Sequence, residues 1–148
     1  MRGLVLGVSV GWLAASAADA TPPSPNGWWR TQMHGATVEI RDCGDRSPCA
    51  FLAWVDSATA KGNTRDVRNP DARLRARPLI GVPILWGLRP SAAGWTGGGA
   101  YNPETGQTFR SSLRVLPNDR LQVTGCLGPL CRSEIWVRAH PVRTIEGI

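Results

Sequence analysis

Apolar and polar residues alternate at every second position along most of this chain, and that pattern limits the fold more than any other feature of the sequence. Such alternation is typical of β-strands with one buried and one solvated face. We expect the buried positions to be Trp29, Thr31 and Met33; Val38 and Ile40; Val82, Ile84, Trp86 and Leu88; Phe109, Leu113 and Val115; Leu121 and Val123; and Ile135 and Val137.

Turn signals separate these segments, at His34-Gly35, at Asn102-Pro103-Glu104-Thr105-Gly106 and at Pro117-Asn118-Asp119. Proline presets the first turn dihedral, and a following glycine can adopt a positive φ. No stretch after residue 20 keeps a helical period for three turns. The pattern therefore predicts an all-β domain of about eight to nine short antiparallel strands, as a barrel or a sandwich.

The first 20 of the 148 residues have the features of a secretory signal. Arg2 is basic, Leu4 to Ala15 is a short apolar run, and Ala18-Asp19-Ala20 is a small-x-small cleavage pattern. That run is shorter than the ~20 residues a spanning helix needs. We expect a signal peptide at 1–20, a proline-rich lead-in at 21–26 and one domain at 27–148, in the periplasm or secreted and not spanning the membrane.

Four cysteines form two locally spaced pairs, Cys43 with Cys49 and Cys126 with Cys131. Each pair flanks a turn, and an exported chain meets an oxidising compartment where disulfides persist. The alternatives are a zinc site, for which the spacings are loose, and a redox pair, for which C-x-x-C is missing. We predict two structural disulfides and neither metal nor cofactor.

The net charge of +6 favours anionic partners or simply solubility. An envelope component is the expected anionic partner, and nucleic acid is not expected for an exported chain. The two histidines, His34 and His140, lie in a turn and next to a proline. Because no catalytic triad, phosphate loop or paired acid and base is readable, we do not predict an enzyme.

One long polar segment, from Ser57 to Ala72, interrupts the strand pattern. Long loops inside a compact domain tend to be functional or disordered. Asp66 and Asn69 can bond nearby backbone amides and so hold the loop in its own turn structure. A cation site formed by Asp66, Asn69 and Asp71 is the alternative, but it has fewer ligands than calcium needs.

Several segments together resemble the bacterial exported family called domain of unknown function 2147. They are Gly27-Trp28-Trp29, Asp66-Val67-Arg68-Asn69-Pro70-Asp71, Arg77-Pro78-Leu79-Ile80-Gly81, Trp95-Thr96-Gly97-Gly98-Gly99, Tyr101 to Phe109, Gly125-Cys126-Leu127-Gly128 and Trp136-Val137-Arg138. The resemblance implies a lipocalin-like (calycin) β-barrel and no established activity. Phe109 stands where the family usually has tyrosine, which removes the hydroxyl that a catalytic phenol would need.

A second resemblance is to the lipocalins themselves, which open with Gly-x-Trp and carry an arginine near the last strand. Here Gly27, Trp29 and Arg138 fit, with Trp136 as a further structural aromatic residue. The resemblance implies that the Arg138 guanidinium packs over the Trp29 indole and closes one barrel end, a cation–π contact worth roughly 0.5–2 kcal/mol. If Ile135 and Val137 face inward, however, regular pleating turns Arg138 outward.

The sequence is consistent with two functions. In the first, the barrel binds a small amphipathic or apolar ligand at its open end, with Trp95 and Tyr101 as an apolar wall, the Asp66–Asn69 loop as a lid and Arg77 as an anchor for an anionic head group. The rival role for Arg77 is a structural salt bridge to Asp66. In the second, an envelope structural or interaction protein with a filled core acts through the long loop and the basic Arg73–Arg77 segment.

Overall fold

The computed structural model describes residues 23–44 and 46–141. The predicted signal peptide and the last residues of the predicted domain lie outside this range, so these boundaries stay predictions. Within the described residues, no helix is long and apolar enough to cross a membrane.

Most of the described chain is β-strand, as the alternation predicts. The strands are β1 (Gly27–Arg30), β2 (Ala36–Asp42), β3 (Pro48–Val55), β4 (Pro83–Trp86), β5 (Arg89–Ser91), β6 (Gly94–Asn102), β7 (Gln107–Leu116), β8 (Arg120–Leu127) and β9 (Leu130–Ala139). The long loop between β3 and β4 contains a short helix, α1 (Ser57–Ala60), and a 3-10 turn, Ala72–Leu74.

The strands close into an antiparallel barrel. Their order is β4-β3-β2-β1-β9-β8-β7-β6-β5, and an additional pairing of β4 with β6 completes the ring. Eight strands form the barrel, and β5 is an extra strand that pairs with the first residues of β6. Closure leaves no long unpaired edge within the ring, which removes the usual aggregation hazard of a sheet.

The two ends of the barrel differ. The end that we call the mouth end carries the β1–β2 turn, the long loop, the β6–β7 turn and the β8–β9 turn. The opposite end, which we call the closed end, carries the start of β1, the β2–β3 and β7–β8 turns and the end of β9. The position of each side chain along its strand therefore decides which end it serves.

The half of the barrel next to the closed end is filled with apolar side chains. Trp29, Ile40, Leu88, Leu113 and Leu121 are each at most 2% exposed there. Burial of a leucine or isoleucine contributes roughly 1.5–3 kcal/mol, so this layer is the main source of stability. It also seals the barrel interior at that end.

Trp29 and Arg138 meet at the closed end. The guanidinium carbon lies 3.9 Å from the Trp29 ring centroid, and the indole N–H donates to the Pro25 carbonyl at 2.7 Å. A Cβ on Gly27 would lie 2.8 Å from an Arg138 nitrogen. The glycine of Gly-x-Trp thus provides the space in which the arginine covers the tryptophan.

The expected orientation of β9 is wrong. Trp136, not Ile135 or Val137, is the buried residue of this strand. Because alternate residues share a face, Trp136 and Arg138 point to the same side, which removes the difficulty of an outward Arg138. The two half-buried β-branched residues face the outside of the sheet.

The expected face of β4 is also wrong. Leu85 is 1% exposed, whereas Trp86 is 39% exposed. The pairing of β3 with β4 shifts register between Ala50 and Phe51, and Gly87 turns the chain with a φ of +65°. One register shift moves the side chains to the other face, so a single alternation cannot hold through 82–88. Val82 and Leu88, which flank β4, are buried as expected.

Both predicted disulfides are confirmed. Cys43 is bonded to Cys49, with 5.8 Å between the Cα atoms. Cys126 is bonded to Cys131 across paired positions of β8 and β9, with 4.0 Å between the Cα atoms. The first bridge closes the β2–β3 turn at the closed end, and the second holds the β8–β9 turn at the mouth end.

Candidate functional site

A cavity of about 630 Å³ occupies the mouth half of the barrel. This volume is in the range of small-molecule sites, which is roughly 300–1,000 Å³. The barrel is open here because small residues stand at inward positions, among them Ala36, Ala100 and Gly125. The apolar lining further includes Val38, Leu52, Leu79, Leu85, Phe109, Val123 and Trp136.

Basic side chains ring the opening of this cavity. Lys61, Arg65, Arg68 and Arg132 line it, and all four residues are exposed. Within residues 23–44 and 46–141, none of the four forms an ion pair. Arg65 donates to the Ala76 carbonyl. The opening thus offers cationic donors above an apolar interior.

The acidic residues of the opening are engaged with neighbours. Glu134 accepts hydrogen bonds from the Met33 backbone N–H at 2.7 Å and from the Trp136 indole at 2.9 Å. Glu104 lies 3.4 Å from His34. The charge left for a bound molecule at the opening is therefore positive.

The long loop is held down by the Asp66 carboxylate, which is fully buried. Tyr101 donates its hydroxyl to one carboxylate oxygen at 2.6 Å, and the Asn69 amide donates to the other at 2.8 Å. The Arg77 guanidinium adds two contacts to that second oxygen, at 2.9 Å from Nε and 2.7 Å from the terminal nitrogen. These donors compensate the cost of burying the carboxylate.

The same cluster keeps Tyr101 protonated. Burial raises the pKa of Tyr101 well above its ordinary value of 10.0, and the hydrogen bond to the neighbouring Asp66 carboxylate raises it further. Both causes act because the phenolate would be a desolvated anion next to another anion. The hydroxyl therefore acts as a donor that holds the loop.

Four of the five predicted site residues come together in this cluster: Asp66, Asn69, Arg77 and Tyr101. Tyr101 lines the cavity. Arg77 pairs with Asp66, as the structural alternative for this arginine predicts. A cation site with Asp71 is not formed, because Asp71 pairs with Arg73, and the described residues contain no acidic, histidine or cysteine cluster that could hold a metal.

The predicted wall of Trp95 and Tyr101 is not formed. A bulge between Trp95 and Gly98 breaks the shared parity of the two rings, and Gly97 adopts a φ of +74° there. Six residues of strand, about 20 Å, separate them. Trp95 pairs with Leu113 toward the closed end and does not line the cavity.

A contact spans the opening. His34, in the β1–β2 turn, lies 3.4 Å from Glu104, in the β6–β7 turn. In the closed ring of eight strands, four strands separate these two turns on either side, so they face each other across the mouth. We call the His34–Glu104 pair the latch. Glu134, 4.0 Å from His34, fixes the same turn to β9.

Sequence reasoning missed the basic ring and the latch. Lys61 and Arg68 belong to a loop that the alternation does not describe, and His34 is only a turn residue in the sequence. Arg132 shares parity with Trp136, so the correct face of β9 would have placed it at the cavity. The latch depends on barrel closure, for which a linear pattern carries no signal.

The model of the family described as "Uncharacterized protein conserved in bacteria (DUF2147)" matches residues 27–138. Among solved structures, protein HP1028 from the human pathogen Helicobacter pylori is similar to this chain, and it is described as belonging to the lipocalin family. The TM-score is 0.66 at 26% identity, covering 80% of this chain and 84% of that chain. No curated protein matches the chain significantly.

Proposed function

We propose, from the premise that this chain belongs to the bacterial DUF2147 family, that it binds a small amphipathic ligand in its lipocalin-like barrel. The apolar part lies in the cavity, and an anionic head group lies at the opening. The observation that carries the proposal is the cavity of about 630 Å³, apolar inside and ringed by four basic side chains.

The anchor in this proposal differs from Arg77. Arg77 is already paired with Asp66, so withdrawing it would leave a buried carboxylate short of a partner. Among the described residues, Arg68 and Arg132 form no ion pair, and both line the cavity. A carboxylate or a phosphate would suit them equally, because guanidinium groups bind either in bidentate fashion.

Export to the periplasm or the medium is part of the proposal. It is supported by the N-terminal signal features of the sequence and by the two disulfides, which persist in oxidising compartments. The competing function, an interaction protein with a filled core, has less support because the mouth half of the barrel is not filled.

Displacement of a fluorescent amphipathic dye from delipidated protein tests the binding site. We expect saturable binding of anilinonaphthalene sulfonate and its displacement by oleate. Ala100→Trp should abolish both, because Ala100 lies in the cavity lining between Leu85 and Phe109. Thr96→Trp, an exposed position of the same strand, is the matched control. Equal binding by Ala100→Trp and the wild type would reject the cavity as the site.

A head-group series tests the ligand class. Oleate and oleyl phosphate should bind at least about tenfold more tightly than oleyl alcohol, because a charge-assisted hydrogen bond contributes roughly 1.5–3 kcal/mol. The double variant Arg68→Glu with Arg132→Glu should lose the preference for the anionic ligands and bind oleyl alcohol as tightly as the wild type does. Arg89→Glu, at an exposed position near the closed end, should leave the preference intact. A wild-type protein that binds the alcohol as tightly as oleate would contradict an anionic ligand.

A further inference from the structure

We propose that the mouth end docks on the surface of an anionic lipid bilayer. The observation behind it is separate from the cavity: large apolar side chains are exposed around the opening. Four of them line it, namely Met33, Val67, Leu127 and Leu130, with exposed fractions of 56%, 44%, 55% and 78%. We call these four residues the apolar rim.

The apolar rim comes from three separate parts of the chain that meet only in the fold. Met33 was expected to be buried with Trp29, but β1 ends at Arg30 and Met33 lies exposed in the β1–β2 turn. Val67 belongs to the long loop, and Leu127 and Leu130 flank the β8–β9 turn. Exposed apolar residues scattered singly need no explanation, but a group at one end of a molecule marks an interaction site. Among the described residues, the other exposed large apolar residues lie outside the cavity lining and on separate parts of the chain: Leu74 (38%), Ile80 (51%) and Trp86 (39%).

The β8–β9 turn is held rigid. The Cys126–Cys131 disulfide closes it directly behind Leu127 and Leu130, and Gly128-Pro129 forms its tip. Two leucines on a rigid tip lose little conformational freedom when they enter another phase. This arrangement suits insertion into the boundary between lipid head groups and acyl chains.

The charges at the mouth end favour an anionic bilayer as the partner of this surface. Lys61, Arg68 and Arg132 are exposed beside the apolar rim, and each basic residue near an anionic membrane contributes roughly 1 kcal/mol. The neighbouring carboxylates Glu104 and Glu134 are already engaged with His34 and with backbone and indole donors. Basic residues also occur toward the closed end, as at Arg89, so the apolar rim determines which end docks.

Vesicle flotation of the full folded protein tests the proposal. The wild type should bind vesicles of equal parts phosphatidylcholine and phosphatidylglycerol at low salt, and pure phosphatidylcholine at least tenfold more weakly. Leu127→Ser with Leu130→Ser should weaken binding to the mixed vesicles at least tenfold while the melting temperature stays at the wild-type value. Arg68→Glu should weaken it severalfold, and Arg89→Glu should leave it unchanged.

The outcomes separate docking from ligand binding. Ala100→Trp, in which the cavity is filled, should still bind the vesicles. Docking can therefore be tested even if the cavity binds no ligand. Equal vesicle binding by the double serine variant, or equal losses for Arg68→Glu and Arg89→Glu, would overturn docking through the mouth end. A wild-type dimer in sedimentation that the double serine variant abolishes would overturn it too, because it would assign the apolar rim to a second copy of the chain.

Discussion

At the scale of single residues, the Asp66 carboxylate does most to position the long loop, because it joins Tyr101 of β6 with Asn69 and Arg77 of the loop itself. Asp66 and Asn69 are expected to bond nearby backbone amides, and the bond to Asn69 forms: its side-chain carbonyl accepts from the Asp71 N–H at 2.9 Å. The long-range partner of Asp66 could not be read from the loop sequence, because Tyr101 is 35 residues away.

A double-mutant cycle tests the structural role of the Asp66–Arg77 pair. Arg77→Ala should lower the free energy of unfolding by about 3–5 kcal/mol, because it leaves the fully buried Asp66 carboxylate without its counter-charge. Asp66→Ala should lower it too, because the buried Tyr101 hydroxyl and Asn69 amide lose their acceptor. The double variant should lose less than their sum. Denaturant unfolding measures this, and Asp71→Asn, in the exposed Asp71–Arg73 pair, should show little change. Strict additivity would contradict a direct interaction.

Tyr101 is the only tyrosine of the chain, so its ionisation can be followed without assignment. Since the folded-state pKa of Tyr101 is raised, the phenol should stay protonated through pH 10 while the protein is folded. By linkage, the stability that the protonated Tyr101 hydroxyl gives the folded state is fully present below its unfolded pKa of about 10. It is lost as the pH rises through the folded-state pKa of Tyr101.

Near-ultraviolet absorbance of the phenolate measures the titration of Tyr101. In denaturant the same phenol should ionise near its ordinary pKa of about 10, and Tyr101→Phe should show no phenolate signal. Asp66→Asn should bring the folded-state pKa down part of the way, because burial is the larger cause of the shift. Ionisation of the folded wild type near pH 10 would contradict the buried hydrogen bond.

At the scale of elements, alternation predicted β2, β7 and β8 correctly, with Val38, Leu113 and Val123 buried. It failed at β4, which reverses its face after the shift at Ala50/Phe51, and at β6, which bulges before Gly98. It also failed at β9, whose pairings contain no register shift. The glycine run in β6 combines a bulge with a close approach of two strands. A Cβ on Gly99 would lie 2.5 Å from the Trp86 ring.

The latch gives a kinetic prediction at this scale. His34→Ala should speed both uptake and release of the fluorescent dye about two- to fivefold, since a half-exposed pair contributes at most about 1 kcal/mol. Stopped-flow fluorescence measures both rates. His140→Ala, at an exposed position just beyond β9, is the matched control. Unchanged rates in His34→Ala would show that ligands enter by a route that the latch does not cross.

At the scale of the whole molecule, the fold combines a filled half and an open half within one closed sheet. The alternation and the cysteine spacing were sufficient for the strand number, the antiparallel arrangement and both disulfides, and the resemblance to lipocalins implied the Trp29–Arg138 contact. They could not reveal the cavity, because its volume depends on how Ala36, Ala100 and Gly125 face one another around the ring. No single segment contains that information.

The disulfides should add stability to this molecule without being essential to its fold. Each closes a short loop, five or six residues apart in sequence, so loop-closure entropy predicts about 2 kcal/mol each. Cys126→Ser with Cys131→Ser should lower the unfolding free energy by about that amount and retain the far-ultraviolet spectrum of a β protein. Complete unfolding of this variant at room temperature would contradict a barrel held mainly by its apolar core.

On the proposed function, an amphiphile places its chain inside the mouth half of the barrel. Isotope-filtered NOE spectra of methyl-labelled protein with unlabelled oleate test it directly. The chain protons should show contacts to methyl groups of Val38, Leu52 and Val123, which line the cavity, and none to Leu113 or Leu121 in the filled half. Contacts confined to surface methyl groups such as Ile80, which is 51% exposed, would contradict it.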